Sequence, residues 1–156
     1  MVNINWCCKQ KNGLNLIDKN ENLSTAYLEM AKDSINVMKN EKDQSLRWSI
    51  SSCYYSMYYS LYAILMKIGI KSEIHSCTLE FMGCFLPYSS NDYKLIQKAF
   101  KLRNTIQYYA ERVINKKDAE EIISGAEEFF NISKEIIASL NEEQINEIRK
   151  KLKEYF

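Results

Sequence analysis

The chain has 156 residues, enough for one domain with a single hydrophobic core. It contains only four glycines and one proline, and tight turns between strands rely on such residues, so the composition favours helices over a β-rich fold. The 21 basic and 20 acidic side chains give a formal charge of +1, which provides no long-range field to attract nucleic acid. No apolar run is long enough to predict a membrane span, and no signal peptide is expected.

The cysteines are odd in number, and their spacing matches neither a zinc site nor a disulfide framework. We therefore predict buried or incidental thiols in a reducing compartment, and hence a cytoplasmic protein. The five residues concerned are Cys7, Cys8, Cys53, Cys77 and Cys84.

In chain order, residues 1–22 predict an irregular lead-in, and residues 23–140 predict the helical bundle. The first helix is expected from Ser24, its N-cap, to Lys39. Its helical spacing is carried by Tyr27, Met30, Ser34, Val37 and Met38. A short polar connection ends at Asp43, a candidate cap for the next helix.

The second helix is predicted from Leu46 to Ile68, with Gly69 at its C-terminal end. One stripe is apolar and a second is aromatic, so this helix is expected in the middle of a bundle or at a subunit interface. The aromatic stripe consists of Tyr54, Tyr55, Tyr58, Tyr59 and Tyr62.

The remaining chain predicts four further helices. A short third helix follows Ser72 as its cap, and a fourth runs from about Asp92 to between Arg112 and Ile114. A capping box of Asp118 and Glu121 predicts the start of the fifth helix. Residues 141–156 predict a peripheral last helix, Glu142 to Tyr155, with a second capping box. Short connections between long helices indicate an all-α, antiparallel up-and-down bundle of four to five main helices.

Few catalytic arrangements are open to this chain because His75 is its only histidine. No Ser-His-Asp triad, Cys-His pair or phosphate-binding glycine loop is present. A single histidine near the start of a short helix is more often structural or solvent-facing. The acidic pairs are adjacent in sequence and suit a solvated face, so neither a metal nor a cofactor is predicted.

The segment from Lys101 to Tyr109 could hold an anion. Arg103 and Gln107 are one helical turn apart and share a face, as do Asn104 and Tyr108. A guanidinium group beside such polar side chains is suited to a phosphate, because its fork pairs with two oxygens. The alternative is that Arg103 is salt-bridged to a neighbouring helix or extends along apolar surface.

Four sequence patterns follow one another along the chain. The first is Tyr-Leu-x-x-Ala-x-x-Ser at residues 27–34, and the second is the aromatic core at residues 53–63. A Gly-to-His segment follows at residues 69–75, and the fourth pattern is Arg-x-x-x-polar-Tyr at residues 103–108. In this order the patterns resemble the HEPN family (higher eukaryote and prokaryote nucleotide-binding domains), one branch of which has the motif Arg-x-x-Ala-Asp-Tyr. Ile106 stands at the Ala position of that motif and Gln107 at the Asp position.

The resemblance implies a homodimer in which the motifs of both subunits line one cleft. Many members are metal-independent ribonucleases, and some act as toxins beside a small nucleotidyltransferase antitoxin. Those nucleases use an arginine to hold the scissile phosphate and a histidine as acid or base. In this chain Tyr108 stands in place of the motif histidine, and a tyrosine is a poor base at neutral pH.

Two hypotheses therefore remain open. The first is an RNA- or nucleotide-binding protein, with endoribonuclease activity as a narrower form of it, and the second is a non-catalytic structural or dimerisation module. The predicted binding residues are Arg103, Asn104, Gln107 and Tyr108, and the catalytic candidates are Arg103, Tyr108 and His75. The resemblance also implies that one or more of Tyr55, Tyr59 and Tyr62 lie beside a ligand.

Overall fold

The computed structural model describes residues 2–156, which form seven α-helices and one two-stranded sheet. A short α4 (His75–Phe85) lies between the long helices in sequence, and α7 (Glu142–Lys153) follows them. The long helices are α2 (Glu21–Glu41), α3 (Leu46–Ile68), α5 (Ser90–Tyr108) and α6 (Lys116–Ser139). The predicted all-α helical bundle is confirmed.

The second predicted helix, α3, has the predicted bounds and lies at the centre of the bundle. It packs against α2, α5 and α6, and most of its residues are buried. The Ser45 side chain, rather than Asp43, caps its start by accepting from the Trp48 N–H. Gly69 ends it with φ of 81°, in the left-handed region that favours glycine. Only residues 42–45 separate α2 from α3, so the two helices pack antiparallel.

Helix α2 differs from its prediction in its start and in its buried face. Asn20 is the N-cap, and its side chain accepts from the Leu23 N–H at 2.9 Å, whereas Ser24 is buried inside the helix. Met30 and Val37 are exposed, and the face that packs inward carries Ala31, Ile35 and Met38. Two overlapping apolar stripes fit the same helix, and packing against α3 selects one of them.

Three other helices also differ from their predictions at one or both ends. Helix α4 has Ile74 at its N-cap position without a side-chain cap, so Ser72 does not cap it. Helix α5 begins with a capping box of Ser89 and Asp92 and ends at Tyr108, before the predicted end. Helix α6 is capped by Asn115, which places Asp118 inside the helix. Ser, Asn and Asp cap almost equally well, so a polar cluster locates a helix start only to within about a turn.

The prediction of a wholly irregular lead-in over residues 1–22 is wrong for part of that segment. It contains α1 (Ile4–Lys9) and β1 (Asn15–Leu16), and its last two residues already belong to α2. The short strand β2 (Ile70–Lys71) pairs antiparallel with β1, with Leu16 opposite Ile70. This pairing joins residues far apart in sequence, so no local pattern indicates it.

A disulfide between Cys7 and Cys77 joins α1 to α4 and contradicts the prediction that all five cysteines are thiols. Both partners are fully buried. Cys8 and Cys53 are buried thiols, and Cys84 is exposed. Burial raises the pKa of Cys53 to about 12, so this thiol stays protonated and inert.

Helix α7 buries its thin apolar edge, Ile145 and Leu152, and exposes most of its charges. Its predicted capping box of Asn141 and Gln144 is confirmed. Arg149 donates to the carbonyl oxygens of Ile17, Ile68 and Gly69 at 2.9, 3.0 and 2.6 Å, so it fixes α7 to the end of α3. Within residues 2–156, no helix has the length and apolar character needed to cross a membrane.

Candidate functional site

Arg103 lies in the last turns of α5, half-buried against the first half of α3. One guanidinium nitrogen donates to the Asn104 side-chain oxygen at 2.9 Å, and the other donates to the Tyr55 hydroxyl. The group also lies over the rings of Tyr54 and Tyr55, 5.7 and 5.1 Å from their centroids. Neutral partners and aromatic faces therefore hold this cation in place.

Among residues 2–156, no carboxylate neutralises Arg103. Within residues 2–156, none of the salt bridges involves this side chain. The alternative of a salt bridge to a neighbouring helix therefore finds no support in the described part of the chain. A guanidinium has five N–H donors, and the two protein acceptors leave several for a ligand. The site is suited to an anion with more than one oxygen.

The fold brings His75 into a surface cleft that Arg103 also lines, although helix α4 and a loop separate the two residues in sequence. His75 is the first residue of α4, and its ring stacks on Tyr58 with centroids 4.1 Å apart and planes 10° from parallel. Its Nδ1 lies 2.5 Å from the Tyr54 hydroxyl. Phe100 of α5 borders the ring on another side, at 6.1 Å. The only histidine is thus half-buried and held by aromatic side chains.

Burial, and then the nearby charge of Arg103, lower the pKa of His75 below its ordinary value. The imidazole is therefore neutral at pH 7. Burial also raises the pKa of Tyr54, so its phenol stays protonated and can donate to Nδ1. With that hydrogen bond, the proton of the neutral ring resides on Nε2. A neutral imidazole beside a guanidinium can exchange a proton with a ligand held by that guanidinium.

Arg103 stands between two clefts. The His75 cleft, of about 600 Å³, is lined on one side of Arg103 by His75, Phe100, Asn104, Thr105 and Tyr108. The Trp48 cleft, of about 400 Å³, is lined on the other side by Ser45, Trp48, Ser51, Tyr55 and Gln107. The four predicted binding residues therefore do not line a single cleft. Gln107 lines the Trp48 cleft, Asn104 and Tyr108 line the His75 cleft, and Arg103 lines both.

Comparison with known protein families identifies the chain. A family model described as the HEPN domain matches residues 24–137, which is well over half of the sequence. This chain belongs to the HEPN family. A comparison with curated protein sequences gives no match. Both clefts lie within the matched segment of this HEPN protein, whereas α1, β1, α7 and Cys7 lie outside it.

Sequence reasoning missed Arg47, which positions the end of α5 in this HEPN chain. Its guanidinium donates to the carbonyl oxygens of Ile106 at 3.2 Å and Ala110 at 3.0 Å. These bonds join the start of α3 to the last turn of α5 and to the residues that follow it. One sign was available in the sequence, since a cation in the first turn of a helix opposes the helix dipole and needs another partner.

The tyrosines of α3 divide between the core and the cleft. Tyr54, Tyr58 and Tyr62 are buried, and the Tyr62 hydroxyl accepts from the Ser72 N–H at 3.3 Å. Tyr55 lines the Trp48 cleft, whereas Tyr59 packs on Tyr27 and Tyr55. Tyr54 belongs to the predicted aromatic stripe and is fully buried, but the sequence could not show that its hydroxyl bonds to His75.

Proposed function

We propose that this HEPN protein binds RNA or a nucleotide, with Arg103 holding a phosphate group. The observation that carries the proposal is that Arg103 has neutral hydrogen-bond partners and no carboxylate partner among residues 2–156. Its guanidinium is half-buried between two clefts and is held by Tyr55 and Asn104 without a carboxylate among residues 2–156. A partly desolvated, uncompensated cation with free donors favours a phosphate, whose oxygens match the guanidinium fork.

The test is fluorescence anisotropy with labelled single-stranded RNA, comparing the wild type with Arg103→Ala. Loss of one charge-assisted phosphate contact should weaken binding about tenfold or more. A plot of the logarithm of the affinity against the logarithm of the salt concentration should also become less steep, by a slope of about one. Lys150→Ala is the matched control. This variant removes one positive charge at an exposed position of α7, the helix held at the far end of α3 by Arg149.

Equal affinities of the wild type and Arg103→Ala would sink the proposal. An equal loss in Lys150→Ala would also count against it, because the effect would then come from net charge alone. If Arg103→Ala instead changes the oligomeric state in light scattering without affecting RNA affinity, the non-catalytic structural or dimerisation function is the correct one.

RNA cleavage is a second candidate function, favoured by the position of His75 in the cleft beside Arg103. Tyr108 stands where the family motif has histidine and is 69% exposed at the end of α5. His75 lies on another helix but could take up that role. In such a reaction the ribose 2′-oxygen attacks phosphorus, the bond to the 5′-oxygen breaks, and a proton moves from the hydroxyl to the leaving oxygen through protein groups.

A cleavage assay with end-labelled RNA in the presence of a chelator tests this second candidate. Cleavage by the wild type should be lost in both His75→Gln and Arg103→Ala, while Tyr108→Phe retains it. Absence of cleavage by the wild type, or full cleavage by His75→Gln, excludes His75 as a catalytic residue.

We further propose that the protein forms a homodimer and acts as the toxin-type component beside a small nucleotidyltransferase. The likeness of residues 103–108 to the Arg-x-x-Ala-Asp-Tyr motif supports this. Tyr108 and Tyr109 are exposed at the rim of the cleft, where a partner could contact them. A cytoplasmic location belongs to the same proposal, and the Cys7–Cys77 disulfide weighs against it. Co-purification with the product of a neighbouring nucleotidyltransferase gene tests the pairing.

A further inference from the structure

We propose that Trp48 is a base-stacking residue and that the ligand is a single-stranded polynucleotide crossing Arg103 from the Trp48 cleft to the His75 cleft. This inference rests on the proposed function, because it takes Arg103 as the phosphate-binding residue. It adds the class of ligand, the place of a base and the side chain that holds the base.

Trp48 is exposed without a structural reason in the chain itself. It lies in the first turn of α3, where its backbone N–H donates to the Ser45 side chain, yet the residue is 68% exposed. An indole of this size in water leaves a large apolar surface unburied, and such exposed aromatic surface beside a cleft marks a contact site.

The chemistry of the Trp48 cleft fits a nucleobase. It combines a flat aromatic face with the Ser45 and Ser51 hydroxyls and the Gln107 amide. Arg47 also lines the cleft, and its guanidinium donates to the carbonyl oxygens of Ile106 and Ala110. None of its lining residues is acidic. A base is uncharged, has a π-face for stacking on indole, and carries donors and acceptors along its edge. Arg103 at the border of the cleft can take the phosphate attached to that nucleotide.

The His75 cleft continues the same track on the other side of Arg103. It is lined by two further exposed aromatic side chains, Tyr108 and Tyr109, which are 69% and 46% exposed. A phosphate on Arg103 therefore has an aromatic surface on each side for the two bases that flank it. A mononucleotide fills only one cleft, and a duplex keeps its base faces stacked and out of reach.

The test uses the intrinsic fluorescence of Trp48. The chain has only two tryptophans, Trp6 and Trp48, so in Trp6→Phe the emission excited selectively from tryptophan comes from Trp48 alone. Adding a short oligouridylate to Trp6→Phe should quench its emission, with a midpoint equal to the dissociation constant from anisotropy. Uridine monophosphate and an RNA duplex should need much higher phosphate concentrations to produce the same quenching.

Affinity measurements with variants complete the test. Trp48→Ala should bind the oligouridylate about tenfold more weakly, and Trp48→Phe should keep most of the affinity because it retains a stacking face. Both changes are at an exposed side chain, so circular dichroism and the melting temperature should stay at wild-type values.

The outcomes separate this inference from the proposed function. Oligouridylate binding that depends on Arg103 but neither quenches Trp48 nor weakens in Trp48→Ala overturns the base-stacking role alone. Equal affinity for monophosphate and oligomer overturns the two-cleft track. Dissociation of a dimer by Trp48→Ala, without loss of RNA affinity per subunit, assigns Trp48 to a subunit interface and likewise overturns the inference. Binding that ignores Arg103 overturns the proposed function as well.

Discussion

Removing the Cys7–Cys77 disulfide should lower the stability of the fold and disturb the cleft. The bond closes a loop across a sequence separation of 70 residues, from α1 to α4. Without the bond the unfolded chain gains conformational entropy, which lowers the free energy of unfolding by about 4 kcal/mol for a loop of this length. For a domain of this size, the loss corresponds to a decrease of roughly 10 °C in melting temperature. Cys77 lies two residues after His75, so the start of α4 should also loosen.

The assay has two parts. Alkylation of the denatured protein followed by mass measurement should give three labels without reductant, on Cys8, Cys53 and Cys84, and five after reduction. Calorimetry of protein refolded after reduction then measures the decrease in melting temperature against the oxidised form. The variant Cys7→Ala/Cys77→Ala serves as control, and its melting temperature should not respond to reductant.

Two results would contradict this account. Five labels without reductant would show that the thiols are free and that the sequence-based prediction was right after all. Equal melting temperatures of the oxidised and reduced forms would show that other contacts hold α1 on α4. In either case the disulfide does not set the position of His75.

Three further changes have defined outcomes. Because the folded-state pKa of His75 is lowered, the unfolded chain binds more protons, so the free energy of unfolding should fall as pH drops from about 7 through about 6.5. Urea titrations should show that His75→Gln, which lacks the only histidine, loses this slope; an unchanged slope would refute the assignment. Arg149→Ala should lower stability by about 2–3 kcal/mol because the Ile17 and Ile68 carbonyl groups lose this charged donor, yet it should leave RNA affinity unchanged in anisotropy. Gly69→Ala should cost at least about 1–2 kcal/mol in urea denaturation, since φ is 81° and its Cβ would lie 2.6 Å from the Ile17 oxygen; wild-type stability would contradict this.

The bounds of the central helix, though not its cap, could be predicted because they are set locally. Apolar residues recur at three- and four-residue intervals from Leu46 to Ile68, and Gly69 adopts the left-handed conformation that ends a helix. The lead-in could not be predicted in the same way. Helix α1 has only six residues, and β1 exists only because residues 70–71 lie beside it. Segments stabilised by partners distant in sequence leave no periodic pattern to detect.

The candidate site was predictable in part for a related reason. Arg103, Asn104, Gln107 and Tyr108 share one helix, so their faces follow from spacing alone. His75 reaches the cleft through the packing of α4 on α5 and through one hydroxyl group, that of Tyr54. Such contacts between helices depend on the tertiary fold, and sequence spacing does not contain them.

The measurement that most directly tests the central claim is an NMR titration of His75, whose ring protons are the only histidine signals in the chain. A phosphate held between Arg103 and His75 brings negative charge to the imidazole, which favours its protonated form. Saturation with an oligouridylate should therefore raise the pKa of His75 in the wild type and should leave it unchanged in Arg103→Ala at equal RNA concentration. A pKa of His75 that stays constant in the wild type while RNA is shown to bind would place the RNA elsewhere and contradict the account.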